Sequence, residues 1–249
     1  MAYHFYWAPA HLGLRERSAN WKWEHSFQKM NGDERMLNGF FDIAFSIAPD
    51  SIIHDWFAQP LGIDDHGPFK SYGLLELNER YGWGEANITQ RDATFISETS
   101  IIHVELKLSS PSSINQILKY AYLVLVEEQY SRPRQNSGLL FIIPPNKLTK
   151  IEEIIERWGK IKDDSLIFDT HIRSLNRPIR EKIVSASERF REITNDLRLS
   201  WITWPDLYDL GAARMVALDK DDPGQQTLHR LLDGFLAQLQ THRNTGIIS

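Results

Sequence analysis

The sequence predicts an α/β domain in which helices flank a central mixed sheet. From residue 69 onward, segments with helical apolar periodicity alternate with short β-prone segments. Residues 92–96 and 101–108 are β-prone, and turn residues between them indicate a β-hairpin. The apolar run Leu139–Ile143 is typical of a buried strand.

The composition is that of an ordinary globular protein and excludes several kinds of site. The chain has 249 residues, of which 42% are hydrophobic and 24% charged, and none is cysteine. The lack of cysteine excludes a disulfide scaffold, a thiolate zinc site, an iron–sulfur cluster and a cysteine nucleophile. Because the longest apolar runs are only a few residues long, we expect no membrane partner and a cytoplasmic location.

Charge is distributed unevenly along the chain. The formal net charge is −5, which by itself argues against a nucleic-acid partner. Residues 1–100 contain 8 Lys/Arg against 14 Asp/Glu, a net −6, whereas residues 131–200 contain 14 against 10, a net +4. An acidic chain can present a local basic face to phosphates, so the charge neither supports nor excludes nucleic acid.

The chain divides into two predicted parts. Residues 1–68 are expected to form an extension packed on the core, since they are rich in aromatic residues that favour burial. Within them, residues 36–47 have the apolar period of a helix and residues 62–68 form a loop. Residues 69–249 are predicted to form the main domain.

The main domain is divided into elements by periodicity, turn residues and helix-start signals. Helices are predicted at residues 69–81, 114–126, 148–158, 178–197, 205–210 and 225–240. Strands are predicted at residues 92–96, 101–108, 138–143, 165–172 and 199–203.

The hairpin carries residues that suggest chemistry. Because side chains alternate along a strand, His103, Glu105 and Lys107 share one face, and the apolar residues between them share the other. The hairpin also brings Asp92 toward Glu105. Two carboxylates suit a hard cation such as Mg²⁺, and a nearby lysine can orient an attacking water, as phosphodiester hydrolysis requires.

The following helix adds Gln116 and Tyr120, which are four residues apart and therefore lie on one face, with Lys119 beside them. Together, Asp92, Glu105-Leu106-Lys107 and Gln116…Tyr120 resemble the PD-(D/E)XK nuclease superfamily. The resemblance covers about residues 69–145. The proline that precedes the aspartate in that family is Arg91 here.

The resemblance implies a restriction-endonuclease-like αβββαβ core and a role for each matching residue. Asp92 and Glu105 would be metal ligands, Lys107 the catalytic lysine, and Gln116 and Tyr120 the auxiliary helix residues. Many members add a glutamate from the helix before the hairpin. Glu76 is the candidate for that role, with Glu79 as the alternate.

Other interpretations remain open beside this one. The Glu-x-Lys pair is also expected on an exposed hairpin edge, where it would contribute almost nothing to stability. His103-x-Glu105 is also found in zinc deaminases, but these need cysteines that this chain lacks. Arg177, Arg180 and Lys119 could contact a phosphate backbone, and a solvated helix face explains the two arginines equally well.

The leading hypothesis is a Mg²⁺-dependent deoxyribonuclease, in which Mn²⁺ could replace Mg²⁺. The alternative is a DNA-binding or assembly module whose catalysis is vestigial, acting with a protein partner or as a homodimer. RNA and branched DNA are also possible substrates, because substrate choice lies in loops rather than in the metal chemistry. Defence, restriction and repair all fit such an activity.

Overall fold

The computed structural model describes residues 34–72, 92–108, 112–219, 221–242 and 244–247. Its helices are α1 Glu34–Ser46, α2 Asp50–Ile53, α3 Ile114–Tyr130, α4 Leu148–Asp163, α5 Ser165–Arg173, α6 Arg177–Ser185, α7 Ser187–Asp196, α8 Trp204–Val216 and α9 Pro223–Thr241. Its strands are β1 Lys70–Tyr72, β2 Ala93–Ile96, β3 Ser100–Leu106, β4 Asn136–Ile143 and β5 Arg198–Thr203. A π-helical turn, His54–Ala58, and a 3-10 turn, Gln59–Leu61, continue α2.

The described strands form one mixed sheet in the order β1-β2-β3-β4-β5. The first three strands are antiparallel, and β3, β4 and β5 run parallel to one another. The α3 helix provides the crossover between β3 and β4 that two parallel strands require. The fold is therefore α/β with a five-stranded mixed sheet flanked by helices.

Each face of the sheet is covered by its own helical layer. One face packs on α1, the turns after α2, α8 and α9, and it includes Ile102, Val104 and Leu106 of β3. The other face packs on α3 to α7 and includes Ile101 of β3. Burial on both faces explains why β3 and β4 contain so few exposed residues. Glu105 therefore lies on a strand with no solvated face.

The described residues of the predicted extension belong to one of these layers. Phe41 and Phe45 of α1 contact Phe235 of α9, with ring centroids 6.1 and 5.2 Å apart. Phe57 stacks on Phe95 of β2 at 5.2 Å. Residues 34–68 thus share a hydrophobic core with the sheet, while the predicted boundary at residue 68 stays a prediction.

One strand prediction is wrong. Residues 165–172, predicted as a strand, form helix α5. Asp164 begins this helix, since its side chain accepts hydrogen bonds from the amides of Leu166 and Ile167. Phe168 is buried and Leu166 is 76% exposed, which is the pattern of an amphipathic helix.

Two helix predictions also need correction. Residues 178–197, predicted as one helix, form α6 and α7, which are separated at Ala186 by a non-helical backbone with φ −129° and ψ 36°. The predicted helix at 69–81 begins instead with strand β1, because Lys70–Tyr72 pairs with β2. The rest of that segment lies outside the described residues.

In the part of the chain that the structure describes, no helix combines the length and apolarity needed to cross a membrane.

Candidate functional site

The polar face of β3 packs against helix α3. Thr94 of β2 lies opposite His103 of β3, and its hydroxyl is 2.9 Å from Nδ1 of His103. The imidazole in turn contacts the ring of Tyr120, with centroids 5.1 Å apart. All three side chains are fully buried or nearly so. His103 therefore has the environment of a hydrogen-bonded core histidine.

Glu105 is the centre of the polar cluster on this face. One of its oxygens, Oε1, lies 2.5 Å from Nζ of Lys107 and accepts a hydrogen bond from the side-chain amide of Gln116. The other, Oε2, accepts a hydrogen bond from the hydroxyl of Tyr120. The alternation of β3 and the four-residue spacing on α3 thus bring four of the predicted site residues into direct contact.

The electrostatics of this cluster are those of a buried ion pair. The side chain of Glu105 is 3% exposed and that of Lys107 is 11% exposed. Burial raises the pKa of Glu105, while the ammonium of Lys107 and the donors Tyr120 and Gln116 oppose that rise. Each negative oxygen is matched by donors, as a buried carboxylate requires.

Local sequence explains why α3 is positioned to supply these donors. The side chain of Ser113 accepts a hydrogen bond from the amide of Gln116 and so caps the helix at its first turn. Gln116 and Tyr120 then follow on successive turns of the same helical face. The predicted start of this helix at residue 114 is confirmed.

Asp92 has other partners than the residues of this cluster. The register pairs Ala93 with Val104, so Asp92 and Glu105 are the next residues of the two strands. Oδ2 of Asp92 accepts a hydrogen bond from the amide of Leu106 at 2.7 Å, and Oδ1 accepts one from Asn38 of α1. The Asp92 carboxylate thus accepts a backbone hydrogen bond that a strand carbonyl would otherwise accept. It does so at the open end of the hairpin, the end away from the turn between β2 and β3.

The chemistry of the two carboxylates suits a hard divalent cation. Asp92 and Glu105 flank the last residue pair of the β2–β3 ladder and offer carboxylate oxygens, which is the donor type that Mg²⁺ prefers. In this structure the two are bound by helices that belong to the layers on opposite faces of the sheet, Asp92 by α1 and Glu105 by α3. The donor set therefore fits Mg²⁺ in chemical type, and metal coordination would replace some of these hydrogen bonds.

The remaining predicted residues lie elsewhere. Lys119 is a half-buried residue of α3, between Gln116 and Tyr120. On α6, Arg177 is exposed and paired with Glu181 at 2.6 Å, and Arg180 donates a hydrogen bond to the carbonyl of Arg173. Glu76 and Glu79 lie outside the described residues, so the third predicted carboxylate has no described position.

Sequence reasoning missed two features. The sequence predicts the helix that contains Asn38 but does not indicate that its side chain binds Asp92. The group formed by His54, Asp64 and His66, whose ligand atoms lie within 4.8 Å of one another, was also missed. The sequence signal that could have indicated it is a pair of histidines 12 residues apart, the second of them in the predicted loop and two residues after an aspartate.

No protein-family model, no curated protein and no solved structure matches this chain. The function must therefore be argued from the site itself.

Proposed function

We propose that this protein is a metal-dependent nuclease with a restriction-endonuclease-like core, acting on DNA. One observation carries the proposal most strongly: Lys107, Gln116 and Tyr120 all meet on the carboxylate of Glu105. These are the residues that the resemblance to the PD-(D/E)XK superfamily assigns to catalysis. A chance Glu-x-Lys on an exposed edge would not be buried beneath a helix that supplies two matched donors.

The topology supports the same proposal. In the described residues, a helix is followed by three antiparallel strands, a crossover helix and a parallel strand, which is the αβββαβ order. Asp92 precedes the second strand and Glu105 lies near the end of the third. The acidic residues thus fall at the same end of the hairpin.

The proposed metal ion is Mg²⁺, which Mn²⁺ could replace. Asp92 and Glu105 would hold it, with Glu76 as the candidate third carboxylate. Because Glu76 follows β1 in the chain, that carboxylate would come from the segment between β1 and β2 and not from the helix before the strands. When bound, such an ion supplies positive charge that stabilises the phosphate during hydrolysis and lowers the pKa of bound water.

The protein's own residues would position the reacting groups. The ammonium of Lys107 adjoins Glu105, where it can orient a water molecule and stabilise negative charge on it. Tyr120 and Gln116 fix the carboxylate of Glu105 in one orientation by binding both of its oxygens. Lys119, Arg177 and Arg180 are the proposed phosphate contacts outside this centre.

The test is a cleavage assay with variants that change charge at similar side-chain size, each first shown to be folded by circular dichroism, because removing one member of a buried ion pair is destabilising. Purified protein is incubated with DNA in Mg²⁺, Mn²⁺ or EDTA, and wild type is compared with Asp92→Asn, Glu105→Gln and Lys107→Met. An asparagine oxygen can still accept from the amide of Leu106, while its NH2 group replaces the oxygen that accepts from Asn38, so Asp92→Asn removes the charge and one acceptor. We expect at least a hundredfold loss of cleavage in each variant and none in EDTA.

A matched control distinguishes the loss of Lys107 from the loss of a lysine elsewhere on the protein. Lys160→Met removes an exposed lysine that is paired with Glu156, and it should cleave DNA as wild type does. Cleavage that persists in EDTA, or that is unchanged in Glu105→Gln and Lys107→Met, contradicts the proposal.

A second candidate function is a DNA-binding or assembly module without catalysis. The observation in its favour is that both oxygens of Glu105 are already occupied by protein donors. DNA binding that needs no divalent metal and leads to no cleavage would favour this second function. Binding of Mg²⁺ or Mn²⁺ that Asp92→Asn abolishes would favour the nuclease.

A further inference from the structure

We propose a second metal centre, in which His54, Asp64 and His66 bind Zn²⁺. The ligand atoms of these three side chains lie within 4.8 Å of one another. His54 belongs to the π-helical turn that continues α2, and the other two belong to the loop before β1. Two imidazoles and one carboxylate form a donor set characteristic of zinc, with a fourth position left for water.

His54 is oriented as a metal ligand. Its Nδ1 lies 2.8 Å from the backbone carbonyl of Asp65. A carbonyl oxygen only accepts hydrogen bonds, so Nδ1 carries the proton and Nε2 holds the free lone pair in the neutral ring. A hydrogen bond of this kind, from the second ring nitrogen to a backbone carbonyl, typically fixes the orientation of a zinc-bound histidine.

The two loop ligands have the spacing that zinc requires. Nε2 of His66 lies 3.3 Å from Oδ1 of Asp64. Zinc–ligand bonds of about 2.0–2.1 Å in a tetrahedral arrangement separate neighbouring ligand atoms by about 3.3 Å. The rings of His54 and His66 are already neighbours, with centroids 3.9 Å apart and planes inclined by 32°, and the His66 ring must turn out of this stack to aim its lone pair at a shared ion. His66 and Asp64 are largely exposed, so small side-chain rotations can complete the site.

The backbone between the loop ligands is held in place. Asp65 accepts hydrogen bonds from the hydroxyls of Ser97 and Thr99 and from the amide of Gly67. Gly67 has φ +89°, and a Cβ there would lie 2.9 Å from the nitrogen of Phe69, so this turn requires glycine. Because Asp65 points into the protein, its neighbours Asp64 and His66 are presented to solvent.

This centre is separate from the proposed nuclease site. It adjoins the closed end of the β2–β3 hairpin, where Ser97 and Thr99 lie, whereas Asp92 lies at the open end. The length of β2 separates the two ends by roughly 15 Å. The donors also differ, because imidazole nitrogen selects zinc-like metals and carboxylate oxygen selects magnesium. Bound zinc would tie the loop to the helical turn.

The test is a zinc titration of the full-length, untagged protein against a chelating competitor. Wild type is compared with His66→Gln and Asp64→Asn, whose side chains are 74% and 93% exposed and can be replaced without disturbing the core. His229→Gln, on α9, is the matched histidine control. We expect zinc affinity to fall at least about tenfold in both ligand variants and to be unchanged in the control.

Thermal denaturation provides a second measurement. Zinc should raise the melting temperature of wild type and His229→Gln, and should raise it much less in His66→Gln and Asp64→Asn, because a ligand stabilises the state that it binds. Absence of zinc binding, or the same affinity in wild type and His66→Gln, overturns the proposal. Asp92→Asn should bind zinc as wild type does, because Asp92 is not one of the zinc ligands. The zinc proposal can therefore hold even if the nuclease proposal fails.

Discussion

The ammonium of Lys107 lies 2.5 Å from the carboxylate of Glu105, and both side chains are almost wholly buried. The two residues lie two positions apart on one face of the sheet, beneath helix α3. Removing one member of a buried ion pair leaves an uncompensated charge, whereas removing both leaves none. This relationship links the stability of the fold to the residues proposed for catalysis.

Glu105→Gln and Lys107→Met should each lower the free energy of unfolding by about 3–5 kcal/mol, while the double variant should lose much less than the sum. Urea denaturation of the three variants measures the coupling. The exposed pair of Lys160 and Glu156 is the control, since a solvent-screened surface pair contributes little and Lys160→Met should leave stability nearly unchanged. Additive losses at Glu105 and Lys107 would contradict the buried-pair assignment.

Asp65 should make stability depend on pH in the acid range. Burial raises the pKa of its carboxyl, but hydrogen bonds from Ser100, Ser97, Thr99 and Gly67 outweigh this and lower the pKa from 3.8 to about 2. A lowered folded-state pKa stabilises the fold above the unfolded value, and that stabilisation is lost as pH falls from about 4 toward 2. The contribution at neutral pH is about 2 kcal/mol.

Asp65→Asn therefore should be less stable than wild type from pH 7 to about 4.5, and the difference should shrink below that. Denaturation with urea at several pH values, in a buffer containing a chelator, measures the difference. Asp64→Asn is the control, because the Asp64 side chain is 93% exposed and should show no such dependence. A difference that stays constant down to pH 3 would rule out this role for the carboxylate.

Substitution by alanine should have opposite effects on stability at Gly138 and at Gly159. At Gly138 in β4, a Cβ would lie 2.6 Å from Cδ1 of Leu61, so Gly138→Ala should destabilise the protein by about 1–3 kcal/mol. At Gly159 in α4, no atom lies within 4 Å of the added Cβ, and alanine should stabilise the helix by about 0.5–1 kcal/mol. Thermal denaturation compares both variants, and a stabilising Gly138→Ala would disprove the close approach of Leu61 to β4.

Sequence patterns predict most of the sheet and the polar face of β3. The hairpin, β4 and β5 follow from β-branched runs and turn residues, and the period of two puts Glu105 and Lys107 on one side. The period of the following helix likewise puts Gln116 and Tyr120 together. These features depend on local spacing, which a sequence displays directly.

Tertiary contacts explain the predictions that failed. Residues 165–172 are rich in residues that favour strands, but the cap at Asp164 and the burial of Phe168 favour a helix. Lys70–Tyr72 is a strand because β2 pairs with it. The contact of Asn38 with Asp92 and the grouping of His54 with His66 join residues whose proximity depends on the folded chain.

The two faces of the sheet are covered by helices at different times during synthesis, because α9 is synthesised after α3 to α7. The helices that cover one face, α3 to α7, lie between residues 114 and 196, so that face can be closed as soon as they emerge from the ribosome. The other face is completed only by Phe235, which packs on Phe41 and Phe45, 194 and 190 residues earlier in the chain. A nascent chain that ends before α9 exposes these phenylalanines, and such a surface is what chaperones recognise and what promotes aggregation. The polar cluster around Glu105 therefore assembles on the face that is covered first.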